Sequence, residues 1–436
     1  MKHKIKTITI CLVSFLTLGI QVLVAQETRS ISLQEAINLS ITNSHLLKNR
    51  QAAIEEATLA VKEANERKLP DFSVSGSYLY LPVKPSINLK SDSAGGGGPK
   101  VSQAIYGMAT ASLPIYAGGK LKYAIASAKY LEEAAKLDAD QNKEAVILNT
   151  IDAYSNLYKA KAAVVLVKEN LEQSNQRVKD FSNLEKNGLL ARNDLLKVEL
   201  QSSNIELALL DAESNWKLSS VNMALMLGLP EQTILIPDSS SLQSDNTLKT
   251  LDEYEQLALV ERKEIGSLSL QKKVAELGIK SVKADYYPSL ALTAGYVAID
   301  VPNFLTVTNA INVGVGVKYN LSSLWKTKTK IAQAESRVKQ VSANQDMLND
   351  NIRLQVNKAY QAYLLSRKKI EVYQKALVQA EENYRITKNK YDNALATTTD
   401  LLDADIAQLQ SKLNITNANA DAVVAYNKLL QTAGIL

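Results

Sequence analysis

Two periodicities take turns along this chain. In AINVGVGVKYNL, Ile311, Val313, Val315, Val317 and Tyr319 alternate with Asn312, Gly314, Gly316, Lys318 and Asn320. In FSVSGSYLY, Val74, Gly76, Tyr78 and Tyr80 alternate with Ser73, Ser75 and Ser77. Weaker versions run from Ala291 to Val301 and from Gln103 to Ile115. Strict alternation predicts strands with one apolar and one polar face. Each is roughly 10–13 residues, the length of a tilted membrane-spanning strand. Asn, Gly and Lys opposite the apolar positions suit a watery lumen. A half-buried sandwich strand is the competing reading, but four strands in two separate hairpins make a poor sandwich.

Between these segments the period is seven. No proline or glycine occurs from Lys120 to Glu185 or from Lys326 to Tyr391. One apolar row is Leu157, Val164, Leu171 and Val178, with Ala160, Val167 and Phe181 beside it. The other is Val356, Tyr363, Ile370, Leu377, Tyr384 and Tyr391, with Ala359, Tyr373 and Ala380 beside it. Heptads sustained this long predict coiled-coil packing. Many flanking positions are Ala or Ser, so these helices can pack closely on more than one side.

The pattern is written twice. Leu33 and Leu251 lie 218 residues apart, as do Pro70 and Pro288. Ala153-Tyr154 and Ala359-Tyr360 lie 206 apart, as do Gly188 and Ala394. The predicted order is a first repeat over 26–249 and a second over 250–436. In the first, a helix precedes a hairpin (71–116), a long helix, a tip turn (187–192), a helix from Ala191 to Met226, and a linker (228–249). In the second, a helix from Leu251 to Asp285 precedes a hairpin (289–321), a long helix, a tip turn (393–398) and a last helix. At ~1.5 Å per residue each long helix reaches about 100 Å, and the paired shorter helices match it.

Residues 1–25 read as a secretory signal peptide: Lys2, Lys4 and Lys6 precede an apolar run from Ile8 to Val24, with cleavage at Ala25-Gln26. A membrane anchor is the competing reading, and the run is short for one. The only cysteine, Cys11, lies inside this segment, and of two histidines only His45 lies beyond it. That leaves no disulfide, no thiolate nucleophile and no basis for a metal site. No phosphate loop or nucleophile-elbow motif occurs, and the SAGGGGPK run (93–100) reads as a loop. Past residue 25, 47 basic residues face 45 acidic ones, with no basic stripe for nucleic acid. The expectation is a non-enzyme with no cofactor.

One stretch stands out. NALATTTDLLDADIAQL places Asp400, Asp403 and Asp405 just after a small-residue turn. NGLLARNDLLKVEL echoes it 206 residues earlier, with Asp194 under Asp400. Asp400 and Asp403, at i and i+3, share a helix face. They read either as a charged lining or as first-turn acids favouring the helix dipole, with Thr397 to Thr399 as caps.

These segments, in order and doubled, resemble the TolC family of outer-membrane efflux ducts. The carriers are SLQEAINLSITNS, KLPDFSVSG, LPIYAGGKLKYAI, IDAYSNLYKA, EKNGLLARNDLL, LMLGLP and KYDNALATTTDLLDA. The resemblance implies a mainly α fold with a membrane β-barrel. It implies a homotrimer whose α-barrel of long coiled-coil helices continues a 12-stranded β-barrel, four strands per chain. It places the chain in the outer membrane of a Gram-negative bacterium, in contact with lipid, extending into the periplasm. There it would pass substrates from a periplasmic adaptor and an inner-membrane RND or ABC transporter. Asp400 and Asp403 match the acids of the narrow periplasmic gate, where crowded like charges raise apparent pKa values. Asp194 and Tyr391 match closed-state links. Ala396 stands at the family arginine's position, with Arg192 as its substitute, and Asp405 matches no role and is expected to be solvated. The tips Gly188, Leu189, Leu190 and Ala394, Leu395, Ala396 match the adaptor-docking site, though Ala394 in place of glycine sets the second tip apart. The alternative from another class is a soluble periplasmic coiled-coil adaptor or scaffold. Tyr78, Tyr80, Tyr106, Tyr116, Tyr296 and Tyr319 form either an aromatic belt or core positions.

Overall fold

The computed structural model describes residues 28–83, 101–238, 248–302 and 304–436. The leader segment, the SAGGGGPK run and positions 239–247 of the linker lie outside the described residues. In chain order the elements are β1 (Thr28–Ile31), α1 (Leu33–Asn43), α2 (His45–Glu66), β2 (Asp71–Tyr80), β3 (Gln103–Ala117), α3 (Lys120–Lys186) and α4 (Arg192–Leu227). There follow β4 (Ile234–Pro237), α5 (Leu251–Glu261), α6 (Lys263–Lys283), a 3₁₀ turn (Ala284–Tyr286), β5 (Ser289–Val301), β6 (Leu305–Lys318), α7 (Ser323–Asp392) and α8 (Thr398–Thr432). They fall into two compact units.

The first unit holds residues up to His45, Lys143–Glu255 and Gln355–Leu436. Its clearest core gathers Ile31, Ala36, Ala153, Tyr154, Leu157, Met223, Ala224, Leu227 and Leu235, with Trp216 against it. β1 and β4 pair in parallel inside this core, a two-stranded sheet that the sequence did not announce. Two strands this short are marginal alone, so side chains complete their hydrogen bonding. The Tyr154 hydroxyl sits 3.0 Å from the Ile31 carbonyl and accepts from the Asp238 amide at 2.9 Å. Ser220 accepts from the Leu235 amide at 2.7 Å and donates to the Thr233 carbonyl. The Trp216 indole donates to the Leu235 carbonyl. Gly228 ends α4 at φ 69°. A Cβ there would come within 2.9 Å of the Asn43 Cβ, and Asn43 in turn donates to the Leu227 carbonyl at 2.7 Å.

The heptad rows are buried only in part. Leu157, Val164, Val167 and Phe181 on α3 are buried, as are Val356, Ala359 and Tyr363 on α7. Between Val167 and Phe181 the buried positions on α3 are Asn170, Ser174 and Arg177. The seam therefore turns polar before the tip, while Leu171 and Val178 are half-buried.

The second unit holds Leu46–Asn142 and Gln256–Leu354. Its strands form one antiparallel sheet in the order β2-β3-β5-β6, so the two hairpins join through β3 and β5. Register sorts the side chains. Phe72, Val74 and Tyr78 stand opposite Ala111, Ala109 and Ile105. Ala109, Ala111 and Leu113 face Tyr296, Ala294 and Leu292. Those three face Ile311, Val313 and Val315. One face is therefore continuously apolar, yet Val74 is 86% and Val313 74% exposed. The other face carries Ser73, Ser75, Thr110, Ser112, Thr293, Asn312 and Lys318, with Ser73 bonded to Thr110 at 2.7 Å. Tyr106 pairs with Ser77 on this polar side, so it leaves the set of tyrosines on the apolar face.

Two segments read as single helices are broken, at Ser44 and at Arg262. These positions lie 218 residues apart, the offset of the repeat itself. Neither Pro nor Gly marks the break. Both residues take extended ψ values, 120° and 127°, and Arg262 bonds Glu264 in the first turn of α6. No helix among the described residues is long and apolar enough to cross a membrane.

Candidate functional site

The two tips, in the first unit, are built alike. α3 ends with the Gly188 amide bonded to the Glu185 carbonyl and the Leu189 amide to the Leu184 carbonyl, both at 2.9 Å. α7 ends with the Ala394 amide on the Tyr391 carbonyl at 2.9 Å and the Leu395 amide on the Lys390 carbonyl at 2.8 Å. This pair of bonds is the Schellman closure, and it needs a left-handed residue. Gly188 has φ 72° and Ala394 φ 59°. The alanine thus adopts the same turn as the glycine, so the replacement does not set the second tip apart. Left-handed backbone costs an L-residue roughly 1–2 kcal/mol.

Behind the turns one apolar plug joins all four helices. It holds Phe181, Leu195, Val198, Leu401 and Leu402, with Leu190, Tyr384 and Tyr391 packed on it. Phe181 and Tyr391 stack with centroids 5.5 Å apart and ring planes within 5°. Burial pushes the Tyr391 phenol up, a hydrogen bond with Thr398 opposes this, and the Asp194 charge adds to the rise. Leu189 and Leu395 stay outside the plug, 74% and 76% exposed.

The helix starts differ. Thr397 caps α8 in a full capping box. Its hydroxyl accepts from the Asp400 amide at 3.1 Å, while the Asp400 carboxylate takes the Thr397 amide at 2.8 Å. The Thr397 hydroxyl also donates to that carboxylate at 2.7 Å, and this bond, with the one from the Thr397 amide, holds the Asp400 carboxyl below the usual carboxylate range. In the single chain the shift is thus opposite to the one that crowded like charges produce. At the first tip Ala191 stands in the capping position and makes no side-chain bond. Asp194, the counterpart of Asp400, pairs instead with Lys197 at 3.2 Å. Arg192 is exposed, as are Asp400 and Asp403, and Ala396 is half-buried.

Asp405 corrects the sequence reading. It is 1% exposed, not solvated. Arg177 on α3, also buried, donates to its Oδ2 at 3.0 Å and to the Tyr384 hydroxyl on α7 at 3.2 Å. Three helices, α3, α7 and α8, meet at one guanidinium. Burial drives the Arg177 pKa down, but the Asp405 bond and charge outweigh it and hold it above the ordinary value. The Asp405 Oδ1 is buried without a hydrogen-bond partner. Arg177 carried no signal in the sequence beyond breaking an apolar seam. Among the described residues, no cluster of His, Cys, Asp or Glu is arranged to hold a metal ion.

Two outcomes follow. Asp405→Asn leaves Arg177 buried without its counter-charge and should destabilise the chain by about 3–5 kcal/mol, whereas Arg177→Met with Asp405→Leu should recover most of that loss. Thermal unfolding of the three proteins reads both effects. Ala394→Gly should stabilise by about 1 kcal/mol by relieving the left-handed alanine, and Gly188→Ala should cost a similar amount.

The family model described as Outer membrane efflux protein matches residues 36–229 and 255–435. The chain is 20% identical over 323 residues to the outer membrane efflux protein BepC of Brucella suis, covering 73% of this chain and 70% of BepC. It is 24% identical over 299 residues to the outer membrane protein TolC of Vibrio cholerae, covering 65% of each. The crystal structure of the outer membrane protein VceC from Vibrio cholerae superposes with a TM-score of 0.72 at 18% identity, covering 92% of this chain and 96% of VceC. The sheet with one apolar and one polar face, the long helices and the doubled order all fit that fold. The chain belongs to the outer membrane efflux protein family and is an outer-membrane protein of the TolC type.

Proposed function

We propose that three copies of this chain close one duct that conducts substrates passively through the outer membrane. The carrying observation is the four-stranded sheet. It has an apolar face, a polar face, and edges at β2 and β6 with one strand neighbour each. Strand edges are not tolerated in hydrocarbon, so the sheet must be closed by other strands. Three such sheets make a barrel of twelve. α4 presents a second unpartnered surface: Leu196, Leu200, Leu207, Leu218 and Leu225 are all about half exposed or more, which suits a neighbouring copy. The soluble-scaffold alternative would need a core for the apolar sheet face, and family membership sets it aside.

Asp400 and Asp403 would line the periplasmic entrance as two rings, favouring cations and opposing anions. Their geometry divides the work. Both are exposed, but Asp400 also completes the capping box of Thr397, whereas Asp403 makes no comparable bond. The Asp194 charge reaches Tyr391 and disfavours its ionised phenol, and Tyr391 packs on the plug that joins the hairpins. With Ala396 at the family arginine's position, Arg177–Asp405, buried, and Lys159–Asp421 are ion pairs that tie the chain's hairpins together. The tips, Gly188 to Leu190 and Ala394 to Ala396, offer Leu189 and Leu395 on rigid turns as docking knobs for a periplasmic adaptor. An inner-membrane RND or ABC transporter joined through it would supply the energy.

Single-channel recording in a planar bilayer tests this. The native protein should give a small cation-selective conductance. Asp403→Asn should lose selectivity with thermal stability unchanged, whereas Asp400→Asn should change both selectivity and stability. Selectivity indifferent to Asp403 would discard the gate. No conductance from folded protein would discard the duct.

A further inference from the structure

The rim of the sheet from which the helices leave is rich in lysine, with Asp71 at the start of β2 and Asp285 ahead of β5 as its acids. Register sets this rim: Ala117 pairs with Ser289 and Ser289 with Lys318. No Asp or Glu occurs between Gln103 and Leu131 or between Val301 and Ala334. In the same spans Lys120, Lys122 and Lys129 open α3, and Lys326, Lys328 and Lys330 open α7. Asp285 takes two of these, pairing with Lys120 and, at 3.4 Å, with Lys330. Lys122, Lys326 and Lys328 are exposed and have no ion-pair partner among the described residues.

This placement runs against helix electrostatics. A helix N-terminus is the positive end of the dipole and favours anions. α3 and α7 have no acid in their first turns and lysines instead. The amides and the lysines act in the same sense, which is the arrangement that holds a phosphate. Aromatic side chains edge the same rim. Tyr116 stands in the apolar row with Leu290 and Val317, and Tyr287, Tyr319 and Trp325 are exposed beside it. Tyr and Trp with a basic zone beyond them mark the level of lipid headgroups.

We propose that this rim binds the headgroups of anionic phospholipid, with Lys122, Lys326 and Lys328 on the phosphates and Tyr116, Tyr319 and Trp325 at the acyl boundary. The proposal rests on the reading of the sheet as part of a membrane barrel. It commits to lipid because the basic zone continues directly from the apolar face that the barrel presents. A zwitterionic headgroup would leave the excess positive charge uncompensated.

Trp325 reports on the site, since the chain has two tryptophans. The full-length protein carrying Trp216→Phe is reconstituted in phosphatidylethanolamine vesicles containing equal mole fractions of dibromo-phosphatidylglycerol or dibromo-phosphatidylethanolamine. Quenching should show a several-fold preference for phosphatidylglycerol, at roughly fivefold per engaged lysine, that collapses at high salt. The preference should vanish in Lys122→Gln/Lys326→Gln/Lys328→Gln and survive in the corresponding triple Arg variant. Equal quenching by both lipids overturns this proposal and leaves the barrel reading intact. No quenching by either overturns the barrel reading itself. A preference that persists in a folded triple Gln variant overturns the assignment to these lysines.

Discussion

In hydrocarbon every backbone amide and carbonyl must be paired within the protein. A four-stranded sheet with edges at β2 and β6 cannot meet that condition by itself. The remaining features follow from this constraint. The alternation that puts Val74, Ala109, Ala294 and Val313 on one face and Ser75, Thr110, Thr293 and Asn312 on the other is useful only if one face meets lipid and the other water. The exposure of the apolar face, destabilising for a soluble domain, is then the condition of its stability. The lysines and aromatics at the rim belong to the same logic, because they meet the boundary where hydrocarbon ends.

Away from the sheet, the helices are held by small polar devices set in apolar surroundings. Tyr154 and Ser220 supply hydrogen bonds to a two-stranded sheet too short to stand alone. Arg177 and Asp405 replace apolar packing at the point where the α3 seam turns polar. A buried ion pair is costly to build and more costly to break from one side. It ties α3, α7 and α8 together beside the plug of Phe181, Leu195 and Leu401, through Tyr384, which touches both. That plug lies directly behind the tips. The capping box of Thr397 then holds Asp400 at the start of α8 and sets the angular position of Asp403 one turn later.

Much of this was legible in the sequence. Strands and long helices show by their period, and the doubled order shows by matching residues such as Pro70 and Pro288. The breaks at Ser44 and Arg262 were not legible, because extended backbone there needs neither Pro nor Gly. β1 and β4 escaped because a four-residue strand has no period to detect. Asp405 was misread for a different reason. Its burial is set by Arg177, 228 residues away, and no local pattern announces a partner at that distance. Ala394 carried the opposite lesson: a residue that disfavours the left-handed turn adopts it when the closure bonds and the plug determine the backbone. Spacing puts Asp400 and Asp403 on one helix face and leaves their role open, and the structure separates Asp400, which completes the capping box, from Asp403, which makes no bond to the turn.

The most direct measurement is disulfide trapping of the sheet edges. In a Cys11→Ser background, a cysteine at Ser75 on β2 is combined with one scanned over Asn312, Gly314 and Gly316 on β6. The account predicts that one register of this scan yields a covalent trimer on oxidation in membranes, and that each single-cysteine protein yields none. Exclusively monomeric protein at every register would contradict the closure of the sheet by copies of the same chain, and with it the duct.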